Sequence, residues 1–192
     1  MIATNEWEAR MSLPTLSAAQ VEWVVPQVVQ YIGHQRQTYR AGAAPLSLSQ
    51  RKAMLPFFPE PVLDLTRLVI LAGKRVNHPP FYGELMKMGF EATCLPNFSL
   101  MAAITFVDTV VSHEPFTDRL LFHELVHVVQ YEKLGVVEFA AKYVTGFLSG
   151  GSYDGIPLEM NAYELDGRFA AAQPKAFSVV SEVQAWIDGR RF

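Results

Sequence analysis

Leu120-Leu121-Phe122-His123-Glu124-Leu125-Val126-His127-Val128-Val129-Gln130-Tyr131 is the stretch on which the reading of this chain turns. Its centre is His-Glu-x-x-His. Four residues make about one helical turn, so on a helix His123 and His127 project from the same side. Two imidazoles so placed converge on one point, as a tetrahedral Zn²⁺ ion requires. The glutamate between them, Glu124, can lie beside the ion's open position and take a proton from water. Both ends of the helix can be read. Thr117 or Asp118 caps it, no Pro or Gly falls between Thr117 and Leu134, and Gly135 suits its end.

Immediately upstream, Ile104, Phe106, Asp108 and Val110 alternate with Thr105, Val107, Thr109 and Val111. That period of two, with high β-propensity, predicts one strand over Ala102 to Val111. Arg67 to Leu71 reads as a shorter strand stopped by Gly73. Between the two, Asn77-His78-Pro79-Pro80 is a turn, Phe81 to Met88 is one or two helical turns closed by Gly89, and Phe90 to Leu95 is expected to be extended. Further back, Ser17 with Gln20 and Ser47 with Gln50 are capping-box pairs. The first opens a helix toward Tyr39, which Pro26 must kink or restart before Gly42 ends it. The second opens a short helix that stops near Leu55. Pro56-Phe57-Phe58-Pro59 then forms a rigid aromatic corner expected in the core. Residues 1 to 15 read as a loose lead-in.

Downstream, Val136 to Leu148 predicts an amphipathic helix and Ser149-Gly150-Gly151-Ser152 a break. Another helix enters at Pro157 or Leu158 and runs to about Ala172, with Gly167 its weak point. Phe177 to Asp188 is the last, carrying Phe177, Val180, Val183 and Ile187 on one side. The fold class is α+β, mostly helical, with a small mixed or antiparallel sheet whose edge strand precedes the motif helix. We expect one domain over 1–192, with 1–60 as a helical N-terminal extension and 102–170 as the functional core.

The chain has 192 residues, 50% of them hydrophobic, enough for a sizeable core. With 16 basic and 19 acidic residues, a net charge of −3 and no basic block, nucleic acid is not an expected partner. The single cysteine, Cys94, excludes an intrachain disulfide and reads as a small buried apolar residue. Met1 to Glu8 lacks the features of a secretory signal, and the most apolar window, Leu134 to Gly150, is too short to span a bilayer. The expectation is a cytoplasmic protein without membrane association.

A working zinc site needs a third protein ligand. His34, His78 and His113 are poor candidates, His34 because its neighbours Gln35, Arg36 and Gln37 suggest a solvated face. The acidic residues after the motif are Glu132, Glu138, Asp154, Glu159, Glu164 and Asp166. Glu159 fits best: it falls in the first turn of a helix, and small Ala162 on its face permits close approach to the motif helix. Asp166 shares that face and could accept a hydrogen bond from a ligand histidine. Glu164 points roughly 140° away. It is the alternative ligand, in which case Glu159 is a first-turn carboxylate favoured by the helix dipole.

Leu121 to Tyr131, followed by Ile156-Pro157-Leu158-Glu159-Met160-Asn161-Ala162-Tyr163-Glu164, resembles the gluzincin class of zinc metallopeptidases. Within it, the chain looks most like small bacterial domains of unknown function written HELxHVxQ with a downstream Pro-[Phe/Leu]-Glu-x-x-Ala-Tyr. The resemblance covers roughly residues 102 to 170. It implies a zincin-like fold, one Zn²⁺ per chain held by His123, His127 and Glu159, and Glu124 as general base in the hydrolysis of a peptide or protein substrate. It also implies that the strand before the helix pairs with extended substrate. Many gluzincins carry Asp four residues after the third ligand, to hold a histidine; this chain has Tyr163 there, so Asp166 or the Tyr163 hydroxyl must substitute. The developing oxyanion needs a donor, for which Tyr153 is the first candidate and Tyr143, His113 and Arg168 are alternatives. The competing reading is a zinc-binding module without peptidase activity, acting as a structural or interaction domain.

Overall fold

The computed structural model describes residues 13–171 and 175–191. Its element order is α1 (Ala18–Arg40), α2 (Leu48–Met54), α3 (Glu60–Leu65), β1 (Arg67–Ile70), α4 (Tyr82–Lys87), β2 (Ala103–Phe106), β3 (Thr109–Ser112), α5 (Asp118–Gly150), a 3₁₀ turn (Tyr153–Gly155), α6 (Pro157–Phe169) and α7 (Val179–Asp188). The fold is mostly helical with a small mixed sheet. No helix among the described residues is long and apolar enough to cross a membrane.

Local chemistry sets most helix starts. Both capping boxes form: the side chains of Ser17 and Ser47 accept from the backbone of Gln20 and Gln50, whose side chains reach back in turn. α1 runs on through Pro26 without a restart. α3 was not anticipated. Its prolines mark a start rather than a break, because Pro61 lies in the first turn, where its missing N–H costs nothing. Thr117 caps α5 through the Leu120 backbone N–H. α7 begins at Val179, after the Ser178 cap, so Phe177 precedes the helix. Its buried residues are Val179, Val183 and Trp186, a face rotated slightly from the expected one. α6 stops at Phe169, short of the anticipated end; Ala172 and the lead-in over 1–12 lie outside the described residues.

The single strand expected over Ala102 to Val111 is a hairpin. β2 and β3 pair antiparallel, with Ile104 opposite Val111 and Phe106 opposite Thr109, and Val107 and Asp108 make the turn. Val107 has φ 63°, a left-handed conformation that a β-branched residue adopts at a cost of about 1–2 kcal/mol. Asp108 holds the turn in place: both its oxygens accept from Arg36 of α1, at 2.7 and 2.6 Å, and Arg40 approaches at 2.7 Å. β1 then pairs parallel to β3, giving the order β1-β3-β2. The strand directly before α5 is therefore the central one, and the edge near the site is β2. Phe90 to Leu95 is a turn rather than an extended segment.

Two hydrophobic clusters meet at α5. One gathers Phe57 and Phe58 of the aromatic corner around Phe122, at ring separations of 5.4 and 5.0 Å, with Phe169 stacked at 4.4 Å. The other holds Tyr31 of α1 with Phe106, Tyr131, Phe139 and Phe147. The segment read as an N-terminal extension thus packs into both clusters. Every residue from Leu121 to Tyr131 is buried, so the motif helix is the centre of the fold rather than a surface amphipath.

Two glycines shape α5. Gly135 (φ 71°, ψ 165°) lies in a region essentially restricted to glycine, and there the helix breaks into two arms. Gly146, on the second arm, lets the start of α6 lie against it: a Cβ there would come within 2.6 Å of Pro157 Cδ. The proline ring is rigid, so Gly146→Ala must push the first turn of α6 outward. The expected loss is about 1–3 kcal/mol, read from the denaturant midpoint.

Candidate metal centre

His123 and His127 leave the motif helix on one face, and α6 delivers Glu159 opposite them. The three form a cluster whose ligand atoms all lie within 4.8 Å of one another, and all three residues are buried. The two Nε2 atoms stand 3.2 Å apart, and each lies 3.4 Å from Glu159 Oε2. That oxygen is buried and has no hydrogen-bond donor. Buried polar atoms seldom go unsatisfied, and a cation between the three atoms would satisfy this one. The group could hold a metal ion.

The atoms behind the triangle are already engaged. His123 Nδ1 donates to Asp166 Oδ2 at 3.0 Å, and His127 Nδ1 donates to Gln130 Oε1 at 2.8 Å. Those bonds leave both Nε2 lone pairs aimed at the centre. Each acceptor is itself anchored. Asp166 Oδ1 accepts from Arg119 Nη2 at 2.8 Å. Gln130 Nε2 donates to the Leu158 carbonyl and to Asn161 Oδ1, both at 3.0 Å, which turns its amide oxygen toward His127. Asp166 therefore makes the contact that the gluzincin pattern assigns to an aspartate four residues past the third ligand. It can serve because positions seven apart on a helix lie about 20° from alignment, closer than the roughly 40° of positions four apart. Tyr163, which occupies the nearer position, sets its ring 4.7 Å from that of His123.

The electrostatics ask for positive charge. Burial alone would raise the Glu159 pKa, but His127 and His123 hold it well below the usual carboxylate range. Burial would lower that of His123; the Asp166, Glu159 and Glu124 carboxylates outweigh it and push it up to about 10. Without metal, then, a proton on the imidazoles balances the site at pH 7. Burial would lower the His127 pKa as well, but Glu159 raises it. Metal must displace the protons so held, so uptake at pH 7 should release at least one proton, and affinity should rise with pH until about 10. Calorimetry in two buffers of different ionisation enthalpy measures the release; enthalpies independent of the buffer would contradict it.

The other candidates divide clearly. Glu124 is buried beside the cluster, and its Oε2 accepts from Thr105 Oγ1 of β2 at 2.7 Å. Tyr153 lines the same space, and burial, Tyr143 and Glu159 raise its pKa well above the ordinary value, so its hydroxyl stays a donor. Tyr143 adjoins it. His113 lies elsewhere: its Nε2 accepts from the Val76 backbone and its Nδ1 donates to the Met101 carbonyl. Arg168 pairs with Glu182 and covers the Phe177 ring. Glu164 is exposed. Three contributors were not assigned a role from sequence: Thr105, Gln130 and Arg119. Gln130 alone left a trace, as a polar residue inside an otherwise apolar run.

A groove of about 1310 Å³ passes the cluster, with His123, Glu124, Tyr153, Tyr163 and residues 101–103 among its walls. Cys94 also lines it. Comparison of the chain with family models, curated proteins and solved structures returned no match.

Proposed function

We propose that this chain is a zinc-dependent peptidase of gluzincin type, with Zn²⁺ held by His123, His127 and Glu159. The observation that carries the reading is the size of the triangle. Tetrahedral zinc with bonds of about 2.0–2.1 Å sets its ligand atoms about 3.3–3.4 Å apart. The three separations are 3.2, 3.4 and 3.4 Å. An octahedral site with bonds of similar length would bring neighbouring ligands to about 2.9–3.0 Å. The donor set, two neutral imidazoles and a carboxylate, is also one that zinc accepts with a position left open.

Bound zinc supplies Lewis acidity, lowering the pKa of water and polarising a carbonyl. Glu124, with one oxygen held by Thr105, takes the proton of the attacking water and returns it to the leaving amine. The Tyr153 hydroxyl, protonated at neutral pH, donates to the developing oxyanion. Among the described residues β2 pairs with β3 on one side only, and its start at Ala103 lies on the groove, so an extended peptide can add as the next strand.

The test is zinc content followed by hydrolysis. Protein purified without added zinc should carry about one equivalent. It should cleave members of a broad peptide library, and a chelator should stop it. One equivalent of zinc with no cleavage across the library would favour the binding-module reading; no zinc and no uptake on titration would remove both.

A further inference from the structure

On the inner side of the metal cluster the protein contains a second space. An inner cavity of about 80 Å³ shares Met101, Ala103, Glu124 and Tyr153 with the groove; His127, Glu159 and Thr105 line its end at the cluster, and Val28, Ile32, Phe98 and Phe139 are among the apolar side chains of the rest. A rear cavity, also about 80 Å³, lies between α1, α4 and the second arm of α5, with Leu16, Leu85 and Phe147 among its walls. The inner and rear cavities have Val28, Phe98 and Tyr143 in common. The path from groove to rear cavity therefore passes these three residues.

Of the three, Tyr143 has the largest side chain. Its ring stacks with Phe139 at 6.0 Å, and Phe139 stacks on Tyr131 at 3.7 Å. It separates one apolar space from the other. At about 30 Å³ per heavy atom, the inner cavity takes about three carbons, and it has about half the volume that admits benzene. A ring is too large, whereas a short straight chain fits.

We propose that the inner cavity receives an unbranched aliphatic side chain of the substrate, next to the reacting carbonyl, and that Tyr143 sets its length by closing off the rear cavity. This rests on the reading of the cluster as a zinc peptidase site. Tyr143 is in this view a specificity-determining residue. Opening its partition roughly doubles the chain length that the site accepts.

The experiment uses two probe series on the whole chain. Straight-chain alkyl hydroxamates are titrated calorimetrically into zinc-loaded protein, and n-alkanols are titrated into zinc-free protein by NMR. In the wild type, and in Tyr143→Phe, affinity should rise about fourfold per methylene until the chain reaches three or four carbons, then level off. In Tyr143→Ala the rise should continue for about three more carbons. Adding Leu148→Phe, which fills the rear cavity, should restore the earlier plateau. Phe98→Leu trims the same partition from the other side and should shift the plateau in the same direction, so the test does not hang on one variant folding. The same plateau in wild type, Tyr143→Ala and Phe98→Leu would overturn the proposal. Alkanols that show the shift, with hydroxamates that do not bind, would retain the partition as an aliphatic site and remove the zinc reading instead.

Discussion

For the zinc peptidase proposed here, Glu124→Gln should take up zinc as the unchanged protein does and hydrolyse peptide about 10³-fold more slowly. The substitution keeps the shape of the side chain and an oxygen for the Thr105 hydroxyl, which now bonds Glu124 Oε2 at 2.7 Å. It removes a carboxylate that is buried beside the cluster without being one of its three ligands. Glu159 sits in the triangle, Asp166 is committed to His123 and Arg119, and neither is free to serve. The fall should appear in kcat, since the lost interaction belongs to the transition state, while KM changes little. Zinc content and far-UV circular dichroism establish that the variant is loaded and folded. Hydrolysis within about tenfold of wild type would mean that another group is the base.

How far the site and the fold could be read from sequence depends on how local the determining interaction is. Ser17 with Gln20, Ser47 with Gln50, Thr117, and Gly135 act within a turn of themselves, and the elements they start or stop lie where the sequence implies. Glu159 and Glu164 could be told apart for the same reason: helical geometry sets them on different sides of one helix, and the first-turn position and Ala162 favour Glu159, which the fold brings to the histidines while Glu164 is exposed. The hairpin failed this test. Nothing in Phe106-Val107-Asp108-Thr109 signals a two-residue turn, since valine is a poor occupant of the left-handed region. The turn is imposed from far along the chain, by Arg36 and Arg40 on Asp108 and by β1 pairing with β3. The hairpin also re-assigns faces. In one strand Val110 would share a side with Ile104 and Phe106; in the hairpin it stands opposite Thr105, on the face that brings Thr105 to Glu124. Gln130 stood out as a polar residue in an apolar run, but its role, like that of Arg119, was unreadable because it depends on a partner on α6.

On the proposed ligand set, Glu159→Ala should abolish high-affinity zinc binding, and Glu164→Ala should leave it within about twofold of wild type. Loss of a hydrogen bond that merely supports a ligand costs about 10–100-fold in metal affinity, so loss of the ligand itself should exceed that range. The contrast is sharp because the two residues share a helix. Both are acidic and both belong to α6, so general charge and helix stability are nearly matched between the variants. They differ in that Glu159 Oε2 lies 3.4 Å from both imidazoles, whereas Glu164 is exposed. Thermal unfolding reads the difference without any assay of hydrolysis. Zinc at 100 times its Kd stabilises a folded protein that holds it by about 2.7 kcal/mol, which raises Tm by several degrees for a chain of this size. That rise should be present in wild type and Glu164→Ala and missing in Glu159→Ala. A second consequence concerns protons. In Glu159→Ala the His123 pKa should fall from its raised position, because one of the carboxylates that holds it up is gone, while Asp166 continues to act on it. Histidine resonances followed by NMR in the zinc-free proteins would register the fall. A zinc-dependent rise in Tm that survives in Glu159→Ala and vanishes in Glu164→Ala would transfer the third ligand to Glu164.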